Sequence, residues 1–260
     1  MPDPARDPAP GDPTDAPVPP TGASGPWTWT VPDVPLEALP LVLHRAQRPL
    51  AVGTAVDLVL PAAADAHRLG ALLLGGGFAA VTPVRTRPDG RRHVRVERSR
   101  TLADSVGPGM RLLVCGVNPS PYSADAGVGY ARPGNRFWPA ALSAGLVEVD
   151  RDPVAALARG VGMTDFAKRA TRTAAEVTRE EYKSGFARVS DLVAWLAPGA
   201  VCFVGLSGWR AVADGTAVAG PQPATLAGRP VYVMPSTSGL NARTSAAELA
   251  AHLAAAAALG

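Results

Sequence analysis

The residues able to do chemistry gather in two short polar segments. The first is Gly116-Val117-Asn118-Pro119-Ser120, which continues through Tyr122, Ser123, Gly127, Gly129 and Tyr130 to Ala131-Arg132-Pro133-Gly134-Asn135-Arg136-Phe137-Trp138. The second is Met234-Pro235-Ser236-Thr237-Ser238-Gly239-Leu240-Asn241-Ala242-Arg243-Thr244-Ser245. The Asn118 amide is not ionisable near neutrality, so it can orient a water molecule but not take its proton. Main-chain amides of a glycine-rich loop can hold negative charge as it develops. Ser236 and Ser238 offer neutral donors, and Arg243 a cationic one, of the kind that meet phosphate. Ser245 to Glu248 is a capping box opening an Ala-rich helix, whose N-terminus favours an anion. Asn135 reads as the N-cap of a helix that begins near Phe137.

Several other chemistries lack their residues. Gly205-Leu206-Ser207-Gly208-Trp209 imitates a nucleophile elbow, but its last position is Trp and no histidine is well placed. There is no G-x-x-x-x-G-K-[ST] phosphate loop. Cys115 and Cys202 form no C-x-x-C, and the four histidines stand far apart without metal-ligand spacing, so a metal centre is not expected. Neither polar segment contains a lysine, so no Schiff base is expected there.

The elements that must position these segments alternate. Arg111–Val117, Ala200–Gly205 and Pro230–Met234 read as short buried strands. Phe137–Ala144, Pro153–Arg159, Arg179–Leu196 and Ser207–Ala213 read as helices between them. Alternating strands and helices predict a parallel sheet covered on both faces, with ligands bound at the strands' carboxyl ends. Both polar segments leave such ends, so they are expected to face one crevice.

Upstream the character changes. Nine of the first 26 residues are proline, and residues 1–31 are expected to form a disordered or extended tail. Residues 32–104 are expected to form a small α+β appendage. A helix is predicted over Pro35–Ala46, a strand over Thr54–Leu60 and a helix over Asp65–Leu74. Two period-2 runs around Pro88-Asp89-Gly90 predict a hairpin carrying Arg85, Arg87, Arg91, Arg92, Arg95, Arg98 and Arg100. It reads as a solvated edge hairpin whose charges oppose strand addition; the alternative is a phosphate-contacting arm. The helix–strand–helix–hairpin order resembles the last third of a class I methyltransferase domain. It lacks an upstream glycine-rich loop, so no S-adenosylmethionine binding is expected.

The whole chain has 260 residues, 47% of them hydrophobic and 18% charged, enough to bury a core. Its net charge is +3, yet residues 1–26 alone hold four Asp against one Arg, so the remainder carries about twice that net. A mildly basic body permits a polyanionic partner. No run of 18 apolar residues and no secretory signal is visible, and two isolated cysteines suit a reducing cytosol.

The ordered set GVNPS, then a tyrosine, then RPGNRFW, then PSTSGLNAR resembles the mismatch-specific uracil-DNA glycosylase and thymine-DNA glycosylase family, part of the uracil-DNA glycosylase superfamily. Gly162–Glu181 (GMTDFAKRATRTAAEVTREE) is similar to the family's middle segment, and the resemblance runs over about residues 105–255 in the family's order. It implies a three-layer α/β/α sandwich with a short parallel central sheet over residues 105–260. It also implies a monofunctional DNA glycosylase that hydrolyses the N-glycosidic bond of uracil mispaired with guanine in double-stranded DNA, with thymine or other modified pyrimidines as further candidates. The product is an abasic site for base excision repair. A non-catalytic binder of mismatched duplex DNA is the alternative. No cofactor and no membrane are implied; the protein is expected to be monomeric, cytoplasmic and nucleoid-associated when on DNA.

The resemblance also assigns roles. Asn118 positions the hydrolytic water, so the reaction is expected to be dissociative and slow, with water captured late. Gly116, Val117, Pro119, Ser120, Ser123 and Tyr130 form the base pocket, with Tyr130 stacking on the flipped base and Ser123 near the pyrimidine 5-position. Ser236, Ser238, Gly239, Leu240, Asn241 and Arg243 meet the DNA: Leu240 fills the gap left by the base and Asn241 the orphan guanine. Flipping costs on the order of a few kcal/mol, less at a mismatch. The family places Arg directly after a G-L-S triplet, whereas here Arg243 stands one residue later.

Overall fold

The computed structural model describes residues 27–64 and 66–260, and the chain forms two five-stranded sheets. In the first sheet, β1 (Trp27–Thr30) pairs parallel with β2 (Ala55–Leu60), which pairs antiparallel with β5 (Arg92–Arg98). On the far side of β5 lie β3 (Phe78–Ala80) and β4 (Arg85–Thr86), both antiparallel to it. Helices α1 (Leu39–Gln47) and α2 (Ala66–Gly75) complete a core that joins Trp29, Leu43, Leu58, Leu69, Leu73, Val94 and Val96.

Two expectations are corrected here. Trp27–Thr30 belongs to the sheet rather than to a tail, because the W-T-W-T alternation drives Trp29 into the core while its neighbours stay outside. Residues 1–26 of the expected tail lie outside the described residues. The arginine-rich strand is also interior, not an edge. Val94 and Val96 alternate into the core, and the opposite face neutralises itself. Arg95 forks onto Asp57 at 3.1 and 2.8 Å, Arg91 meets Asp33 at 2.8 Å, and Arg100 forks onto Asp125. Arg85, Arg92 and Arg98 form no ion pair among the described residues, and Arg92 bonds Thr86 and the Ala64 carbonyl instead.

The second sheet runs β7-β6-β8-β10-β9, comprising β6 (Leu112–Gly116), β7 (Val161–Asp165), β8 (Ala200–Val204), β9 (Gly220–Pro221) and β10 (Val231–Met234). β6, β7, β8 and β10 are parallel, and only β9 is antiparallel. Strict alternation splits the strands between two cores. Leu112, Val114, Cys202 and Met234 face one side, where they meet Trp138, Leu249 and Leu253. Leu113, Cys115, Val201, Phe203 and Val233 face the other, where they meet Val189, Val193 and Trp209. The first layer of helices includes α4 (Phe137–Ser143) and α8 (Ala246–Ala257); the second includes α6 (Arg179–Leu196) and α7 (Leu206–Val212). Two short helices, α3 (Pro121–Ala126) and α5 (Pro153–Ala158), begin at side-chain caps from Ser120 and Asp152. Capping boxes at Thr178/Glu181 and Ser245/Glu248 start α6 and α8. The result is the three-layer α/β/α architecture. No helix among the described residues is long and apolar enough to cross a membrane.

The sheets are joined through a buried polar hub. The Asp104 carboxylate accepts from Lys168 Nζ (2.7 Å), Arg188 Nη1 (2.7 Å) and Thr164 Oγ1 (2.8 Å). Lys168 also donates to the Leu102 carbonyl, and the Thr101 hydroxyl to the Lys168 carbonyl. Burial pushes the Asp104 carboxyl up, but Arg188 and Lys168 together outweigh it and hold the group below its ordinary value. The boundary expected between 104 and 105 therefore falls on the residue that anchors the second half.

Candidate active site

Because β6 and β10 are parallel, the two polar segments leave the sheet at the same edge. They meet over a pocket of about 700 Å³. Gly116, Val117, Asn118, Pro119, Ser120, Ser123 and Tyr130 all line it. Ser236, Ser238, Leu240 and Asn241 line it from the second segment. Leu240 is 86% exposed, an aliphatic side chain held in solvent at the mouth. Gly239 and Arg243 do not line the pocket. Gly239 lies where the two segments touch: a Cβ there would stand 2.9 Å from the Gly134 carbonyl oxygen. Arg243 is exposed, and its main-chain N–H donates to Asn241 Oδ1.

Asn118 is fixed from one side. Its Nδ2 donates to Thr171 Oγ1 (2.6 Å) and to the carbonyls of Arg169 and Pro119 (3.2 Å each). Thr171 Oγ1 in turn donates to the Thr173 carbonyl (2.7 Å), so its lone pairs are turned to the amide. The Phe166 and Ala167 amides bond the Gly116 and Val117 carbonyls, extending the β6–β7 pairing under the segment that carries Asn118. With Nδ2 spent, Oδ1 is the unoccupied end among the described residues: an acceptor with no proton to give.

Tyr130 takes a left-handed backbone conformation (φ 58°), and its ring stacks on Phe137 at 4.2 Å. The neighbouring main chain is pinned by Trp138 Nε1, which donates to the Gly129 carbonyl at 2.7 Å. Tyr130 Oη is buried with no hydrogen-bond partner, and burial pushes the phenol well above its ordinary value, so it is neutral.

Three residues escape sequence reasoning. Thr171 is the first. Arg136 is the second: its Nη1 donates to the Thr244 carbonyl (2.5 Å), its Nη2 to the Asn241 carbonyl (2.5 Å), and its main-chain N–H to the Thr237 carbonyl (2.9 Å). One guanidinium thus shapes the second segment from the first. Arg136 also occupies the N-cap position of α4, so the cap expected at Asn135 is shifted; Asn135 Oδ1 still accepts from the Phe137 N–H at 2.9 Å. The third is Asp165, at the carboxyl end of β7, which lines the pocket floor beside Gly116. All three lie inside the segments that carry the resemblance, but no local pattern gives their roles, because each gains its place through pairing with distant chain.

Residues 103–259 match a family model described as the uracil DNA glycosylase superfamily. The chain is also similar to a solution NMR structure of a candidate uracil DNA glycosylase from Methanosarcina acetivorans. That match has 22% identity and a TM-score of 0.44, over 62% of this chain and 97% of that one.

Proposed function

The chain belongs to the uracil DNA glycosylase superfamily and is a DNA glycosylase, and on that premise we propose that it removes uracil mispaired with guanine from double-stranded DNA, leaving an abasic site. Thymine and other modified pyrimidines opposite guanine are secondary substrates in this reading. The observation that carries it is the Asn118 amide, anchored through Nδ2 and open at Oδ1, in a pocket whose mouth also holds the exposed Leu240.

The steps follow from these groups. A mismatched pair costs less to open, so the uracil nucleotide swings out first from such sites. Leu240 enters the vacated stack as an apolar plug. The base stacks against Tyr130, whose other face is already held by Phe137; such stacking contributes about 1–3 kcal/mol. As the glycosidic bond lengthens, charge leaves for the base oxygens, and main-chain amides of the Gly116–Ser120 segment stabilise it. Asn118 Oδ1 accepts a hydrogen bond from water and aims its lone pair at C1′. With no ionised base at that position, water is captured after the bond has largely broken. The water supplies hydroxyl to C1′ and its proton leaves to solvent or base. Ser236, Ser238, Asn241, Arg243 and the capped start of α8 hold the DNA backbone and the unpaired guanine. Lys168 is engaged with Asp104, and no lysine lines the pocket, which supports hydrolysis without strand cleavage.

The test is a set of duplexes with a single G·U, G·T, A·U or G·C pair, incubated with protein and then treated with or without alkali. Strand breaks should appear for G·U only after alkali; binding without base release would overturn the reading. Leu240→Ala removes three carbons of the plug, worth about 1.5–3 kcal/mol if fully buried. It should lower kcat/KM on the G·U duplex by roughly 10- to 100-fold. On a single-stranded uracil substrate, where no hole needs filling, the loss should be much smaller.

A further inference from the structure

We propose that Arg48, Arg98 and Arg100 form a site for one backbone phosphate of the duplex, beside the pocket, at the joint between the N-terminal sheet and α3. The proposal rests on the chain's being a DNA glycosylase, not on which base it removes.

The first observation is a buried cation left unmatched. Arg98 continues the inward side of β5 after Val94 and Val96 and is only 5% exposed. Its guanidinium forms no ion pair or hydrogen bond among the described residues, and its Nε is fully covered. The buried Lys168 and Arg188, by contrast, both meet Asp104. An unpaired buried charge costs folding free energy, which an anion arriving from outside would recover.

The second observation is convergence on the end of α3. Arg100 is exposed and forks onto Asp125 in the last turn of that helix. Arg98 feels the same two charges: burial lowers it most, Asp125 opposes that, and Arg100 adds to it. The guanidinium nonetheless stays cationic near neutral pH. Arg48, exposed at the end of α1, lies across Gly127, the left-handed residue that closes α3. A Cβ on Gly127 would stand 3.3 Å from Arg48 Cγ and 3.6 Å from its Nε. Glu97, the next acid along β5, points to the outer face near Gly53. Three guanidinia thus meet the single carboxylate of Asp125, and the surplus is positive.

Place identifies the anion. The elements that build the cluster also line the pocket: α1 through His44, the chain after Arg100 through Leu102 and Ala103, and α3 through Tyr122 and Ser123. Arg48 stands one helical turn beyond His44, about 6 Å along α1. Each DNA strand carries one phosphate per roughly 3.4 Å of axis, so the cluster lies within about two or three phosphates of the flipped nucleotide. That neighbourhood selects a duplex phosphate over a free anion.

The experiment is fluorescence anisotropy of the full chain on a G·U duplex, from about 50 mM to about 1 M salt, where each lost phosphate contact lowers the slope of log K against log salt by about 0.9. Arg98→Met keeps the apolar stem and should lose that much slope. It should bind about tenfold more weakly at the low-salt end and equally at the high-salt end. Its Tm should equal or exceed that of wild type, because a buried unpaired charge is removed. Arg48→Ala, on an exposed side chain, should repeat the loss of slope without touching the core. Duplexes with one neutral methylphosphonate at successive positions on either side of the uracil then locate the contact. One position should weaken wild type about tenfold and leave Arg98→Met unaffected. Unchanged slopes in both variants, a lower Tm for Arg98→Met, or no position to which that variant is indifferent would overturn the proposal. So would a wild-type Tm raised by inorganic phosphate at constant ionic strength with no methylphosphonate position affected, the mark of a site for a free anion. Base release from the same duplex is read separately: a wild type that binds but frees no uracil would end the excision reading, while the slopes would still judge the arginines.

Discussion

Asn118→Ala should lower the single-turnover rate of uracil release by about 10²- to 10³-fold, the loss found when one preorganised polar group is withdrawn from a transition state. Stability should fall by about 1–2 kcal/mol, since three neutral hydrogen bonds go with it, two of them to part-buried acceptors on Pro119 and Thr171. The loss should lie in the rate constant rather than in duplex affinity, because in the proposed reading Asn118 meets the water and not the phosphates. Base-release assays with the enzyme in excess, beside fluorescence anisotropy on the same duplex, would separate the two. A variant that retains more than a tenth of the wild-type rate would remove Asn118 from the chemistry. The site is also built for an amide. An aspartate at 118 would turn a carboxylate oxygen towards the Pro119 and Arg169 carbonyls and towards Thr171 Oγ1, which already donates elsewhere. Asn118→Asp should therefore gain less than its added basicity suggests.

The largest effect on stability is expected at Asp104. Asp104→Ala leaves Lys168 and Arg188 buried without their anion, and breaking a buried pair from one side costs about 3–5 kcal/mol. For a protein of this size that corresponds to a fall in Tm of roughly 10 °C. Differential scanning calorimetry of the full chain reads it directly, and a shift under 3 °C would show the hub to be dispensable. The same group gives a pH signature. Its folded-state pKa lies below the ordinary 3.8, so its contribution is fully present above that value and is lost as pH falls through the folded pKa. Asp104→Asn should flatten the acid limb of the stability curve. A chain shortened to begin at residue 105 would suffer the same loss, so the N-terminal module cannot be removed there without harming the second half.

Much of the catalytic half is legible in the sequence because its strands are short apolar runs. Such runs bury both faces, and their period-2 split between two cores needs no long-range information. The polar segments at their ends are equally legible, since a run of Gly, Pro, Ser and Asn after a buried strand leaves few alternatives to a loop at the sheet's carboxyl edge. Strand Val161–Asp165, which no local pattern announces, shows the limit. Val-Gly-Met-Thr-Asp is neither alternating nor uniformly apolar, and it becomes a strand only because β6 offers it a ladder. The arginine-rich strand misleads for a related reason: its charge suggests an edge, but Asp57 and Asp33, distant in sequence, neutralise one face and let β2 and β3 flank it.

By itself the sequence determined the two-sided parallel sheet, the capping box that opens the last helix and the two segments that line the pocket, because these follow from local spacing and from which side chains leave water. Only the tertiary structure decided how the pocket is furnished: Thr171 turning the Asn118 amide, Arg136 tying one segment to the other, Asp104 holding two cations, and Asp165 on the floor. Each of these depends on groups more than twenty residues apart meeting in a low-dielectric space, where an unmatched charge or hydrogen bond is costly, and no local pattern records which partner will arrive.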